Sequence, residues 1–366
     1  MANLSPAQQA VKDLKTDKSV GGYIKLGSEE LLSTSRYYIS TQSPAIDVLI
    51  GQPGIPSGKI TTIFGPEGSS KSTLVYHILA ETQRIGGIGV LVDSEQRFTK
   101  ERARGMGLDP DQLIMIEGAT LESAFNSIEK CIDTLRAGDA KDVPVTIAYD
   151  SLAGSPTDKR MTADVSDVMI GTAARFVNAE LPRLKTKLSR ESIAFVIVNQ
   201  LRSRIAISDP RTRGFELRRK VMGGLHSMIA EWPLLFESSL MLRMEAIGPI
   251  GDKESPTGLR VKVSGRKNGL SPYEGYSTEV EIDKLHGIDI LASKFAVLEA
   301  IGAIEQKGGW YNLKADPKRF RKADFKGVLS THPELEALIT AAPLLWLTDE
   351  QPVRPASLER DTDEEE

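Results

Sequence analysis

Short uninterrupted apolar runs recur along the first two thirds of the chain, and between them apolar residues return every three or four positions. The runs Lys59–Phe64, Gly89–Val92, Val145–Tyr149 and Ile193–Val198 have the length and composition of strands buried on both faces of a parallel sheet. Thr73–Arg84 and Leu121–Leu135 read as helices, the second with Leu121, Phe125, Ile128, Ile132 and Leu135 on one face. Cys131 sits beside that stripe and reads as a core thiol rather than a reactive one. Strands alternating with helices from about residue 35 to 265 predict an α/β fold with a mostly parallel sheet. Upstream, Ser5-Pro6 can start a short helix carrying Ala7, Val11 and Leu14, and Gly21-Gly22 can end it. Such a detached helix packs either on its own domain or on a neighbouring subunit. Downstream, Lys294–Ile304 reads as a helix and Lys307–Leu313 as a turn and short strand, with further helices after them, which indicates a small α+β domain. The expected division is therefore 1–34 (N-terminal helix and linker), 35–268 (α/β core), 269–348 (small C-terminal domain) and 349–366 (acidic, disordered tail).

Composition narrows the class. Of 366 residues, 40% are hydrophobic and 26% charged, with 31 Gly and 19 Pro, which excludes collagen-like, low-complexity and wholly disordered chains. No apolar run approaches the roughly 18 residues that a membrane-spanning helix needs, and the charged N-terminus does not read as a secretory signal. The single cysteine cannot form an internal disulfide, so a reducing compartment, the cytoplasm, is expected.

Charge changes the picture more than composition does. The formal net charge is −4, which taken alone argues mildly against a nucleic-acid binder. The last six residues, DTDEEE, contain five acids, and setting them aside leaves the body of the chain near +1. Such a tail is either a solvated end or a decoy that competes with a polyanion for the protein's own basic surface. The opposite pole is Leu201–Gly224, where Arg202, Arg204, Arg211, Arg213, Arg218, Arg219 and Lys220 face only Asp209 and Glu216. Asp209-Pro210 and Gly223-Gly224 break any regular element there, so the segment reads as a long basic loop of the kind that carries function.

The strongest chemical signal follows the first strand. KITTIF runs into GPEGSSKSTL and then into a helix, and Gly65, Lys71 and Ser72 satisfy the spacing of a phosphate-binding loop. Successive backbone N–H groups from Gly65, Glu67, Gly68, Ser69, Ser70 and Thr73, on a loop that Pro66 helps to shape, and the positive end of the helix would surround a triphosphate. Lys71 would reach its outer phosphates and Ser72 would ligate Mg2+. Ser70 occupies the slot where the pattern has its second glycine, the flexible residue being displaced to Gly68. Because serine adopts positive φ reluctantly, a reshaped cradle or altered turnover is expected. Three further strand ends supply partners: Asp150 for the metal, Glu95 to polarise an attacking water, and Gln200 to touch the terminal phosphate. Gln200 immediately precedes the basic loop, an adjacency that suggests a switch between nucleotide and loop.

Taken in order, STQSPAIDVLIGQPGIPSGKITTIFGPEGSSKST, VLVDSEQ, AYDSLAGSP, GTAAR, FVIVNQLR, KVMGG, RVKVSGRKN and KGGWY resemble RecA-type homologous recombinases of bacteria and their phages, with a phage-encoded, UvsX-like member expected. The resemblance spans nearly the whole chain and implies a RecA-like P-loop ATPase core with an N-terminal helix and a small C-terminal domain. It gives Lys71, Ser72, Glu95, Asp150 and Gln200 the ATPase roles argued above, with ATP and Mg2+ as ligands. It further implies single-stranded DNA held by two loops, here about Thr162–Ile170 and Leu201–Gly224, with Arg175, Arg202, Gly223, Gly224, Arg260 and Lys262 near the DNA. Two cations reaching a neighbour's γ-phosphate would be Lys267, in ungapped register, and Arg266, after a one-residue shift. Arg102 stands where the family stacks an aromatic on adenine; an arginine plane stacks too. Arg260 and Lys262 also alternate with apolar residues, as any exposed strand face would.

The expected function is thus a DNA-dependent ATPase that forms helical filaments on single-stranded DNA and exchanges strands with a homologous duplex, assisted by mediator and single-strand-binding proteins. A hexameric motor on the same fold and a weakly catalytic DNA scaffold are the alternatives.

Overall fold

The computed structural model describes residues 5–16, 24–26, 35–118, 120–138, 140–162, 171–203, 226–252, 254–314, 318–347 and 359–360. In chain order the elements are α1 (Pro6–Leu14), β1 (Tyr38–Ile39), α2 (Pro44–Ile50), β2 (Ile55–Pro56), β3 (Ile60–Gly65), α3 (Lys71–Arg84), β4 (Ile88–Asp93), α4 (Lys100–Gly105), β5 (Leu113–Ile116), α5 (Leu121–Ala137), β6 (Val145–Asp150), α6 (Asp158–Thr162), α7 (Thr172–Glu191) and β7 (Ala194–Gln200). They continue with β8 (Arg202–Ser203), β9 (His226–Ser227), a helix at Glu231–Glu237, β10 (Leu240–Gly251), β11 (Pro256–Asn268), β12 (Tyr276–Asp283), β13 (Gly287–Ile288) and a helix at Ile290–Ala300. Three short strands and further helical turns follow, up to Leu347.

One large sheet organises the chain, with the order β13-β12-β11-β10-β3-β7-β6-β4-β5. From β10 to β5 neighbours run parallel; from β10 to β13 they are antiparallel. Alternation along each parallel strand explains why both faces are covered. Ile63, Leu91 and Val196 point to one side and pack with Leu74, Val75, Ile78 and Leu79 of α3. Ile60, Phe64, Val90, Val92 and Phe195 point to the other and pack with α5 and α7. Helix α5 starts where Thr120 and Ser123 cap each other reciprocally, and buries Leu121, Phe125, Ile128 and Ile132 as the periodicity predicts. Cys131 packs against the same cluster, and burial pushes its thiol pKa up, as suits an inert core cysteine.

The sheet continues past residue 268. β12 pairs with β11 over Ser277–Asp283, and Glu359–Arg360 adds a two-residue pairing to β12 at Tyr276 and Ser277. The C-terminal lobe has its own aromatic cluster, where Phe295 and Phe325 meet edge-on with centroids 5.0 Å apart. Its first helix begins at Ile290, four residues before the expected Lys294, because the Asp289 carboxylate accepts from Ala292 N–H and caps it. It ends early because Gly302 takes φ +70 while Ala303 N–H returns to Leu298, so Ile304 opens a strand instead. At the other terminus, α1 carries a Ser5–Gln8 capping box but buries no residue.

α3 is buried almost all round, and its far side is fastened by a histidine. Ile288 N–H donates to His77 Nε2 (2.8 Å), so the ring proton is on Nδ1, which lies 2.7 Å from Gln42 Oε1. Gly287 makes this approach possible: it adopts φ +76, and a Cβ there would collide with His77 Nε2. Burial pushes His77 down to about 4, from an ordinary 6.5. A histidine with a depressed folded pKa stabilises the fold above its unfolded value, and that contribution is lost as pH falls from about 6.5 to 4. Its size is about 3 kcal/mol. Asp47 and Asp150, both pushed up to about 6 chiefly by burial, act in the opposite direction over the same window. Comparison with His77→Gln isolates the histidine, since glutamine can accept the Ile288 N–H without titrating. In urea titrations, the stability advantage of the wild type over His77→Gln should shrink by about 3 kcal/mol between pH 7 and pH 4. A constant difference would show that His77 is not neutral because of its buried site.

Candidate functional site

Four parallel strands end side by side: β3, β6 and β7 end in Gly65, Asp150 and Gln200, and Glu95 lies two residues past the end of β4. In register, Gly65 of β3 faces Gln200 of β7, and Asp93 of β4 faces Asp150 of β6. This carboxyl edge is where open α/β sheets bind ligands. A cleft of about 800 Å³, including its open mouth, lies there. Of the residues expected to bind nucleotide or metal or to act in catalysis, Glu67, Gly68, Ser69, Ser70, Lys71, Ser72, Glu95, Arg102, Asp150 and Gln200 all line it.

The loop between β3 and α3 wraps around the Lys71 ammonium. Nζ donates to the carbonyls of Gly65 (3.0 Å) and Pro66 (2.6 Å) and lies 3.3 Å from Ser69 Oγ. Lys71 is 7% exposed, and burial pulls its pKa below the ordinary value, opposed by Asp150 and Glu95. Gly65 cannot carry a side chain, because a Cβ would run into the Met244 carbonyl on the adjacent β10. Ser70, the departure from the glycine pattern, holds φ +62 and ψ +27, the left-handed geometry glycine would take, and Gly68 is also left-handed at φ +75. The loop therefore keeps a turn that wants glycine while using serine, whose side chain makes no capping hydrogen bond to α3. Ser70→Gly should accordingly stabilise the protein by up to about 1 kcal/mol, the relief of left-handed strain being partly offset by glycine's larger entropy loss. Destabilisation by that amount in a denaturant titration would mean the serine has a contact of its own to lose.

Asp150, at the end of β6, is a half-buried carboxylate of the site. Burial raises it to about 6, the Ser72 hydroxyl hydrogen-bonds to it and lowers it, and the nearby charges of Glu95 and Asp93 raise it further. A hydroxyl and a carboxylate held together beside a phosphate cradle fit Mg2+, a hard cation that typically takes one or two protein oxygens and completes its shell with phosphate and water. Among the described residues, no group of three or more His, Cys, Asp or Glu side chains is placed to hold a metal ion.

Glu95 and Gln200, read separately from the sequence, are hydrogen-bonded to one another. Gln200 Nε2 donates to Glu95 Oε1 (2.8 Å), and Ser151 Oγ donates to the same oxygen. The other oxygen, Oε2, lies 3.3 Å from Arg97 Nε, and Arg97 Nη2 is 3.4 Å from Glu67 Oε1 on the phosphate loop. Arg97 carries no motif signal, and sequence reading passed over it. The same holds for Tyr76, although it stands one helical turn beyond Ser72 on the cleft side of α3. Arg102 packs over the Tyr76 ring, 5.5 Å from its centroid, and donates through Nη2 to Thr73 Oγ1 (2.7 Å). Thr73 is buried beneath it.

The remaining candidates lie away from the cleft. Arg266 is 3% exposed on β11, whereas the Lys267 ammonium donates to the carbonyls of Leu235 (2.6 Å) and Phe236 (3.4 Å) at the end of the helix Glu231–Glu237. Arg175 is exposed in the first turns of α7. Arg260 and Lys262 pair across strands with Glu281 and Glu279, and Arg260 Nε approaches Glu279 at 4.0 Å. Arg202 opens the short β8 strand that pairs with β9. Residues 163–170 of the first expected DNA loop lie outside the described residues, as do Arg204, Arg211, Arg213, Arg218, Arg219, Lys220, Gly223 and Gly224 of the second and the acidic end 361–366.

The family model of the RecA N-terminal domain matches residues 6–289. Protein RecA of Chlorobaculum tepidum is 28% identical over 350 residues, covering 93% of this chain and 95% of that protein. Protein RecA of Chlorobaculum parvum is 30% identical over 315 residues, with 86% and 84% covered, and Protein RecA of Paracoccus denitrificans is 27% identical over 330 residues, with 89% and 85% covered. The loop after β3 with its enclosed Lys71, an acid ending β6, and a glutamate just past β4 hydrogen-bonded to the glutamine ending β7 thus sit in a chain that belongs to the RecA family.

Proposed function

We propose that this protein is an ATP-dependent recombinase. It assembles on single-stranded DNA as a helical filament, aligns that strand with a homologous duplex and exchanges the strands, and it hydrolyses ATP faster when DNA is bound. The observation that carries this reading is the Gln200–Glu95 hydrogen bond. It joins the group that would orient the attacking water to the last residue of β7, directly before the basic segment that begins at Leu201.

In this reading Lys71 leaves the carbonyls of Gly65 and Pro66 for the β- and γ-phosphates, while the loop N–H groups hold the remaining phosphate oxygens. Ser72 and Asp150 hold Mg2+, which, when bound, neutralises charge developing on the phosphates. Glu95 orients water. Gln200, released from or held by Glu95 according to whether a γ-phosphate is present, passes that difference to the basic segment. Arg102, stacked on Tyr76, closes the base side of the cleft. Arg175, Arg202 and the other basic residues of 202–220, with Arg260 and Lys262, bind the phosphate backbone, so affinity should fall with salt and show little dependence on sequence. Lys267 and Arg266 meet the nucleotide of the neighbouring subunit, so that ATP strengthens the filament contact. Mediator and single-strand-binding proteins would govern loading in the cytoplasm.

Electron microscopy with an ATP analogue and single-stranded DNA tests the assembly directly. Open helical filaments are expected; closed rings would favour a motor on the same fold, and DNA-bound particles with no phosphate release would favour a scaffold.

A further inference from the structure

Arg97 has a placement that none of the roles above uses. β4 ends at Asp93, whose carboxylate accepts from the backbone N–H groups of Arg97 (3.3 Å) and Phe98 (2.9 Å), so the turn after the strand is fixed. Gln96 within that turn is left-handed at φ +54. The turn returns Arg97 to the cleft, which it lines. Its guanidinium then lies between Glu95 Oε2 and Glu67 Oε1, at 3.3 and 3.4 Å, with 64% of the side chain exposed. It is also near enough to Lys71 that its charge helps burial to depress that ammonium.

The pattern around Glu95 is asymmetric. Oε1 already accepts from Ser151 Oγ and Gln200 Nε2, so the oxygen left for water is Oε2, the one Arg97 faces. Both Arg97 contacts are long for charged partners, whose hydrogen bonds shorten to about 2.7–2.9 Å when well made. A guanidinium held loosely by two separate carboxylates is poised for a partner offering several oxygens in one place. Phosphate is such a partner, and a planar fork suits it.

Building on the ATPase reading, we propose that Arg97 is a terminal-phosphate ligand supplied by the same subunit, and that its transfer from Glu95 to that phosphate uncovers Glu95 Oε2 for the attacking water. Arg97 is then a ligand of the substrate and, through Glu95, a positioning residue. An empty or ADP-filled cleft keeps Glu95 covered. Only a γ-phosphate draws the arginine away. The residue thereby reads nucleotide state without a neighbouring subunit.

The test compares wild type, Arg97→Ala and Arg97→Lys for equilibrium binding of a fluorescent non-hydrolysable ATP analogue and of ADP, both with Mg2+. Loss of one charge-assisted phosphate contact should weaken the ATP analogue about 10- to 100-fold in Arg97→Ala and ADP less than threefold, with Arg97→Lys in between. In steady-state hydrolysis, KM should rise by more than kcat falls. Equal weakening of both nucleotides, no weakening of either, or a fall in kcat at unchanged KM would overturn the proposal. If the wild type itself fails to bind the ATP analogue, the ATPase reading fails instead, and the two failures are distinguishable.

Discussion

Lys71→Ala is expected to lower ATP turnover at least 1000-fold and to remove the dependence of DNA affinity on nucleotide. The lysine is the one cation within the phosphate loop itself, and its burial makes it effective. With low exposure and a depressed pKa, its charge is poorly solvated before ligand arrives, so exchanging carbonyl partners for phosphate oxygens brings a large gain. Removing a single preorganised donor to a transition state typically costs 100- to 1000-fold, about 3–4 kcal/mol, and here ground-state binding of ATP falls as well. The variant should still fold, because the chain around Lys71 is held by β3 and by the buried apolar face of α3 rather than by the ammonium. Phosphate release with and without single-stranded DNA is the measurement. Activity within tenfold of the wild type would remove Lys71 from the site.

Glu95→Gln should leave ATP binding close to that of the wild type and reduce kcat by 100- to 10,000-fold, the range in which general base catalysis contributes. Shape is conserved, so the change isolates charge and hydrogen-bond polarity. In the wild type both carboxylate oxygens face donors: Ser151 Oγ and Gln200 Nε2 on one, Arg97 on the other. An amide can present its oxygen to only one side and must turn its NH2 group toward donors on the other. Even with that oxygen toward Ser151 and Gln200, the Glu95–Gln200 contact loses its charge assistance along with the base, and the gain in hydrolysis on adding DNA should disappear with it. Gln200→Ala separates these effects, since it keeps the carboxylate but cuts the link to the basic segment. Wild-type kcat in Glu95→Gln would show that the water is oriented elsewhere.

The parallel half of the sheet was legible because buried parallel strands read as bare apolar runs, and because each is followed by the residue that matters: Gly65, Glu95 two places past Asp93, Asp150 and Gln200. The antiparallel half was harder to read. β10 and β11 carry Arg243, Glu245, Arg260 and Lys262 among apolar residues, and β12 answers with Glu279 and Glu281. Such strands look like solvated surface until their partners are known, so the sheet's extension past residue 268 had no single clear signal. The end of the helix Ile290–Ala300 was hidden for a local reason. Ile304 continues the helical period, but Gly302 turns left-handed and sends it into a strand.

At the site, motif residues were found and their couplings were not. Spacing identified Glu95 and Gln200 but could not show that one donates to the other, since they are 105 positions apart. Arg97 belongs to no motif, and only the turn capped by Asp93 brings it over the cleft. The serine at position 70 was the opposite case. The sequence flagged a residue unsuited to positive φ, and the backbone adopts that geometry regardless.

The most direct measurement of the central claim is strand exchange between a circular single strand and a homologous linear duplex, with ATP and Mg2+ present. The account predicts joint molecules that require ATP, require homology and vanish in Lys71→Ala. Unwinding of duplexes irrespective of homology, or single-strand binding with no exchanged product, would contradict it.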